Sequence, residues 1–112
     1  MNIELRHLRY FVAVAEEASF TAAAARAHVA QQVLSTQVRQ LEDAIGSQLL
    51  NRTSRGVTLT PAGAAFLDAA REVLAGLDRG VTAARNAARA VAGKLSVGTL
   101  GHAFPTVRMS QR

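Results

Sequence analysis

The chain has 112 residues, with thirteen Lys and Arg against eight Asp and Glu, a net charge of +5 and no cysteine. That length holds one small domain and an extension, the missing cysteines exclude disulfides and a zinc ribbon, and three isolated histidines without chelating spacing give no reason to expect a metal or any other cofactor. The basic balance points to an anionic partner such as nucleic acid, and the sequence carries no acid–base pair, nucleophile dyad or phosphate loop, so an enzyme is not expected.

Leu5, Leu8, Phe11, Val12 and Ala15 fall on one helical face and predict a first helix over Leu5–Glu17, with Arg6, Arg9, Glu16 and Glu17 on its solvated side. Ser19 is placed to cap a second helix from about Phe20 to Ala27. This helix is mostly alanine, and small side chains let neighbouring helices approach closely. His28-Val29-Ala30 makes the turn.

A third helix is expected over Gln31–Ile45, stopping at Gly46. It buries Leu34, Val38, Leu41 and Ile45, spaced four, three and four apart. The opposite face carries Gln32, Ser35, Thr36, Arg39 and Asp43, with no acid before Glu42. Amides, hydroxyls and an arginine can hydrogen-bond base edges and phosphates in a major groove, which is wide enough to admit a helix. The pattern therefore reads as a helix-turn-helix with Gln31–Ile45 as recognition helix. Arg39 and Asp43 are also spaced to pair with each other, but the groove-facing position favours a phosphate contact for Arg39.

Gln48–Asn51 and Val57–Leu59 are β-prone and bracket Arg52-Thr53-Ser54-Arg55-Gly56. This predicts a hairpin wing with two arginines at its tip, suited to a phosphate or a narrow minor groove. A solvated turn is the plain alternative. Thr60 and Pro61 then open a fourth helix that meets no further proline and is expected to end at Gly93. Phe66, Ala70, Val73, Leu77, Ala84 and Ala88 follow a three–four repeat, with Val81 close to the seam. A helix of about 32 residues would run about 48 Å, too long for so small a domain to cover, so a second copy is expected to cover the stripe. Lys94–Gly98 alternates like a first strand.

Three runs, LRHLRYFVAVAEEASFTAAA at 5–24, VAQQVLSTQVRQLEDAIGSQLLNRTSRGVTLT at 29–60 and PAG at 61–63, make the chain resemble the N-terminal part of a LysR-type transcriptional regulator. The resemblance implies a mainly α fold: a winged helix-turn-helix of three helices and a short β-hairpin at 1–60, and a linker and dimerisation helix at 61–92. Residues 93–112 would begin a truncated, poorly ordered effector domain, so no small-molecule inducer is expected for this chain. The implied partner is double-stranded DNA, bound at a dyad-symmetric operator by a homodimer, with tetramers in the full-length family.

The expected base readers are Gln31, Gln32, Ser35 and Thr36. Arg39, Arg52, Thr53, Ser54 and Arg55 are expected on the backbone or minor groove, and Phe66, Ala70, Val73, Leu77, Val81, Ala84 and Ala88 in the dimer seam. The sequence has no secretion signal and no apolar run of membrane-spanning length, which together with the resemblance places the chain at the nucleoid in a bacterial cytoplasm.

Three positions depart from the family pattern: Ala30 where Ser or Thr often caps the recognition helix, Gln32 where Pro is common, and Thr36 where a basic residue is usual. These bear on affinity and site sequence rather than on the fold. Two other functions stay open on the sequence: a dimerisation module that titrates a full-length regulator, and a nonspecific basic DNA-binding protein.

Overall fold

The computed structural model describes residues 2–96. Its elements are α1 (Leu5–Glu17), α2 (Phe20–Ala27), α3 (Gln31–Ile45), the strands β1 (Leu50–Thr53) and β2 (Gly56–Leu59), and α4 (Pro61–Ser96). The fold is a winged helix-turn-helix followed by a long helix.

Local chemistry fixes the boundaries. The Glu4 N–H at the start of α1 donates to His7 Nδ1 (2.9 Å). Ser19 Oγ accepts the Ala22 N–H (3.0 Å) and caps α2, satisfying one of the orphan donors of a first turn. The caps at the C-terminal ends of α1 and α2 are Ala18 (φ 54°) and His28 (φ 59°), both left-handed without being glycine. α3 starts at Ala30 with no side-chain cap and ends at Gly46.

The core sits where α1, α2 and α3 meet. Phe11, Val14, Leu34, Val38, Leu41 and Leu49 are fully buried. Ala23 and Ala24 are buried too, so the alanines of α2 do let the helices close on one another. β1 and β2 pair antiparallel with Leu50 opposite Leu59 and Thr53 opposite Gly56. β1 begins at Leu50 rather than Gln48: the Gln48 carbonyl accepts from Thr60 Oγ1 (2.6 Å) and its amide donates to the Leu50 carbonyl (2.9 Å), outside any ladder.

The chain divides into two compact units, the first ending at Ala75 and the second beginning at Gly76. The boundary expected after residue 60 thus lies inside the first unit. Leu67 and Ala70 belong to the core, and Phe66 packs against it with its ring 5.8 Å from that of Phe11 at a tilt of 55°. Two of the residues expected in the seam also pack on the chain's own core. Ala70 is 1% exposed and covered by its own chain, and Phe66 is engaged with Phe11. In contrast, Val73 (49%), Leu77 (37%) and Val81 (38%) are exposed, as are Ala84 and Ala88.

α4 also runs through Gly93 to Ser96, so the strand expected to start at Lys94 is helix over 94–96. An interior glycine costs a helix about 1 kcal/mol, which the alanines and long side chains around Gly93 offset. The expectations for residues 97–112 lie outside the described residues. Among the described residues no helix is long and apolar enough to cross a membrane, and no group of His, Cys, Asp and Glu could hold a metal.

Candidate nucleic-acid interface

α3 turns Leu34, Val38 and Leu41 into the core. This leaves Gln31, Gln32, Val33, Thr36, Arg39, Gln40 and Asp43 exposed, with Ser35 half-buried. Of the four expected base readers, three therefore present their side chains to solvent and Ser35 does so in part. Gln31 is held: Thr21 Oγ1, in the first turn of α2, donates to its Oε1 (3.1 Å). Among the described residues Arg39 has no hydrogen-bond or ion-pair partner, so the pairing with Asp43 that its spacing allows is not formed. A guanidinium without an internal partner is available to an anion.

The flank of α3 nearest α1 is braced. Arg6 Nε donates to Gln37 Oε1 (2.9 Å), and His7 Nε2 lies 3.0 Å from Gln40 Oε1. His7 is 3% exposed. Since its Nδ1 accepts from the Glu4 N–H, its Nε2 is the protonated nitrogen and donates to Gln40. One imidazole thus ties the start of α1 to α3.

The wing is fixed at three points. The carboxylate of Glu42, on α3, accepts the backbone N–H groups of Leu49 (2.8 Å) and Leu50 (3.2 Å) where β1 begins. Next, the Ala18 carbonyl accepts the Val57 N–H (3.1 Å). At neighbouring Gly56 (φ +123°) a Cβ would come 2.8 Å from that same oxygen, so only glycine fits both the backbone angle and the close approach. Finally, the Arg52 guanidinium lies over the Phe20 ring, 4.1 Å from its centroid, a cation–π contact.

The tip is therefore narrower than the sequence suggests. Arg52 and Thr53 lie in β1, and Ser54 and Arg55 alone make the turn. Thr53 Oγ1 accepts the Arg55 N–H (3.1 Å) and donates to the Gly56 carbonyl (3.1 Å), so this hydroxyl is spent on the turn. Arg55 and Ser54 are the exposed groups of the tip. Arg52 is exposed but committed to Phe20 on one face.

A cluster of charges joins α1, α2 and α4. Arg26 bridges Glu16 (2.9 Å) and Glu17 (3.2 Å), and Arg71 bridges Glu16 (3.1 Å). The hydrogen bond from Arg26 holds the Glu16 carboxyl below its ordinary value; burial opposes this, and Arg71 adds to it. The hydrogen bond that Arg26 donates to Glu16, with that to Glu17 behind it, raises Arg26 in turn.

Sequence reasoning missed Thr21, Arg6, His7 and Glu42 as supports of this surface. Only Glu42 left a sequence signal, as the first acid after the acid-free start of α3.

The family model for bacterial regulatory helix-turn-helix proteins of the lysR family matches residues 5–64. The uncharacterized HTH-type transcriptional regulator YnfL of Escherichia coli (strain K12) is 51% identical over 98 residues, covering 88% of this chain and 33% of that protein. The chain thus spans about a third of that relative's length. Among solved structures, the BenM_DBD/catB site 1 DNA complex is similar at 49% identity and a TM-score of 0.75, over 77% of this chain and 97% of that one. The CbnR_DBD–DNA complex is similar at 45% identity and a TM-score of 0.73, over 77% and 99% respectively.

Proposed function

Because the chain belongs to the lysR family of bacterial regulatory helix-turn-helix proteins, we propose that it is a sequence-specific DNA-binding transcription regulator acting on the bacterial chromosome. The observation that carries this reading is the open face of α3. Gln32, Thr36 and the unpaired Arg39 stand exposed on it, with Gln31 oriented by Thr21, and the free guanidinium of Arg55 stands at the tip of the anchored wing. Relatives of this fold at 49% and 45% identity are known as DNA complexes, which supports the same partner for this chain. In this reading Gln31, Gln32, Ser35 and Thr36 read base edges, while Arg39, Arg52, Ser54 and Arg55 hold phosphates or the minor groove.

The reading includes a homodimer through α4. Val73, Leu77 and Val81 are large apolar residues left exposed at intervals of four along this helix, with Ala84 and Ala88 beyond them. A second α4 covers such a stripe and sets two recognition helices a fixed distance apart, so the operator holds two related half-sites.

A salt titration of affinity tests the proposal, comparing a duplex selected by the chain from a random library with scrambled duplex. Wild-type chain should prefer the selected duplex by several orders of magnitude. Gln32→Ala should cost about 1–3 kcal/mol at one base pair and relax preference there. Arg55→Ala should weaken all duplexes alike and reduce the salt slope by about one per head. Equal affinity for selected and scrambled duplex at every salt concentration would refute sequence-specific binding.

A further inference from the structure

One large apolar side chain of α3 is left exposed. Val33 lies in the first turn of α3 and is 46% exposed. Its polar neighbours along the helix toward α1 are tied down, Gln37 by Arg6 and Gln40 by His7, whereas the valine methyl groups stay open to solvent beside Gln32 and Thr36. Among the described residues, the other large apolar side chains left this open lie on α1 (Leu5) and along α4 (Val73, Leu77 and Val81). An apolar group held in water forgoes the stabilisation of burial. A valine in a helix also occupies one strongly preferred rotamer, so its two methyls form a rigid surface that loses little freedom on contact. Glutamine or arginine at this place would have to be ordered.

In a major groove the edges of the base pairs offer donors, acceptors and a single kind of apolar group, the 5-methyl of thymine. We propose that Val33 reads the 5-methyl group of one thymine in each half-site, a specificity contact alongside the polar ones of Gln32 and Thr36. The inference rests on α3 being the groove-entering helix. It assigns the discrimination to the methyl group itself: cytosine lacks a 5-methyl, and deoxyuridine differs from thymidine by that methyl alone.

The experiment uses a duplex selected by the full chain from a random library. Each thymine of one half-site is replaced in turn by deoxyuridine, and affinity is measured for wild-type chain and for Val33→Ala, whose folding is checked by helical circular dichroism. Removing one methyl from the contact should cost wild type about fourfold in affinity at one thymine. Val33→Ala should bind the thymine duplex about as weakly as wild type binds the deoxyuridine duplex, and should be indifferent to the substitution. A half-site with no methyl-sensitive thymine, or a Val33→Ala chain with undiminished sensitivity, overturns the inference and leaves the DNA-binding reading standing. A chain that selects no duplex overturns both.

Discussion

Glu42, on the recognition helix, accepts the backbone N–H of Leu49 at 2.8 Å, and its same oxygen accepts that of Leu50 at 3.2 Å. Leu49 and Leu50 are buried at 0% and 2% exposure, so water cannot take over these donors. The carboxylate thereby sets where the wing leaves the helix, and α3 and the wing are positioned against each other by one side chain.

Glu42→Ala leaves two buried N–H groups unpaired, at about 1–3 kcal/mol each before relaxation. The variant should lose about 2 kcal/mol or more of stability in urea unfolding and show faster hydrogen exchange at Leu49 and Leu50. DNA affinity should fall for all sequences together, because wing placement changes while the exposed side chains of α3 do not. Unchanged exchange at both amides would show that Glu42 does not hold the wing.

Gly63, in the first turn of α4, meets the same stretch of backbone from the other side. A Cβ there would overlap the Leu49 carbonyl oxygen, lie 2.9 Å from its carbon, and crowd Leu59 Cδ2 at 3.1 Å. The obstacle is backbone and cannot swing away. Gly63→Ala should therefore destabilise by about 2–3 kcal/mol despite the better helix propensity of alanine. Gly80→Ala, with nothing within 4 Å of the new methyl, should instead gain up to about 1 kcal/mol of helix stability. Thermal unfolding of the two variants checks the opposite signs. A neutral Gly63→Ala would mean that α4 can lift from Leu49 at no cost.

These contacts also mark how far the sequence could be read. Periodicity placed α1 and α3 because each buries a clean stripe, as Leu34, Val38 and Leu41 do, and the Ser19 cap with a run of alanines placed α2. The exposed face of α3 followed from the same wheel. The fourth helix misled at both ends. Its repeat carries one apolar pattern throughout, and nothing in that pattern tells that Phe66 and Ala70 pack on the chain's own core while Val73 and Leu77 stay open. The supports Thr21, His7 and Glu42 were illegible for a related reason: each acts through a contact distant in the chain, and a side-chain amide or carboxylate looks alike whether it faces solvent or a buried N–H.

The charged cluster gives a pH dependence. Glu16 sits below its ordinary value chiefly because Arg26 donates to it. A carboxylate depressed in the fold binds protons more readily when unfolded, so its stabilisation is present at neutral pH and is lost as pH falls through the folded value, which lies below the ordinary carboxyl value. The pairs are partly exposed, so the effect is modest and screened by salt. Glu16→Gln should lower the thermal midpoint by a few degrees at pH 7 and low salt, and the gap from wild type should close both at pH 3 and in molar salt. A gap that persists at pH 3 would point to packing, and not charge, as its source.

The last prediction concerns the second copy. Leu77 is 37% exposed between Val73 (49%) and Val81 (38%) on α4, one turn beyond the stretch that the core covers. A second helix seated on this stripe buries all three, and binding both half-sites then makes the second contact intramolecular, raising affinity without any new contact. An aspartate at position 77 would place a charge in the seam, where desolvation without a partner is strongly unfavourable. As the site is outside the core, Leu77→Asp should keep the helical content and unfolding midpoint of the first unit. It should sediment as a monomer where wild type is a dimer at tens of micromolar, and bind a two-half-site duplex about as weakly as a single half-site. Ala70→Asp distinguishes this from loss of the fold: its 1% exposed position should cost the first unit its stability. A wild-type chain that sediments as a monomer, or a Leu77→Asp chain that remains dimeric, would remove α4 as the dimer seam.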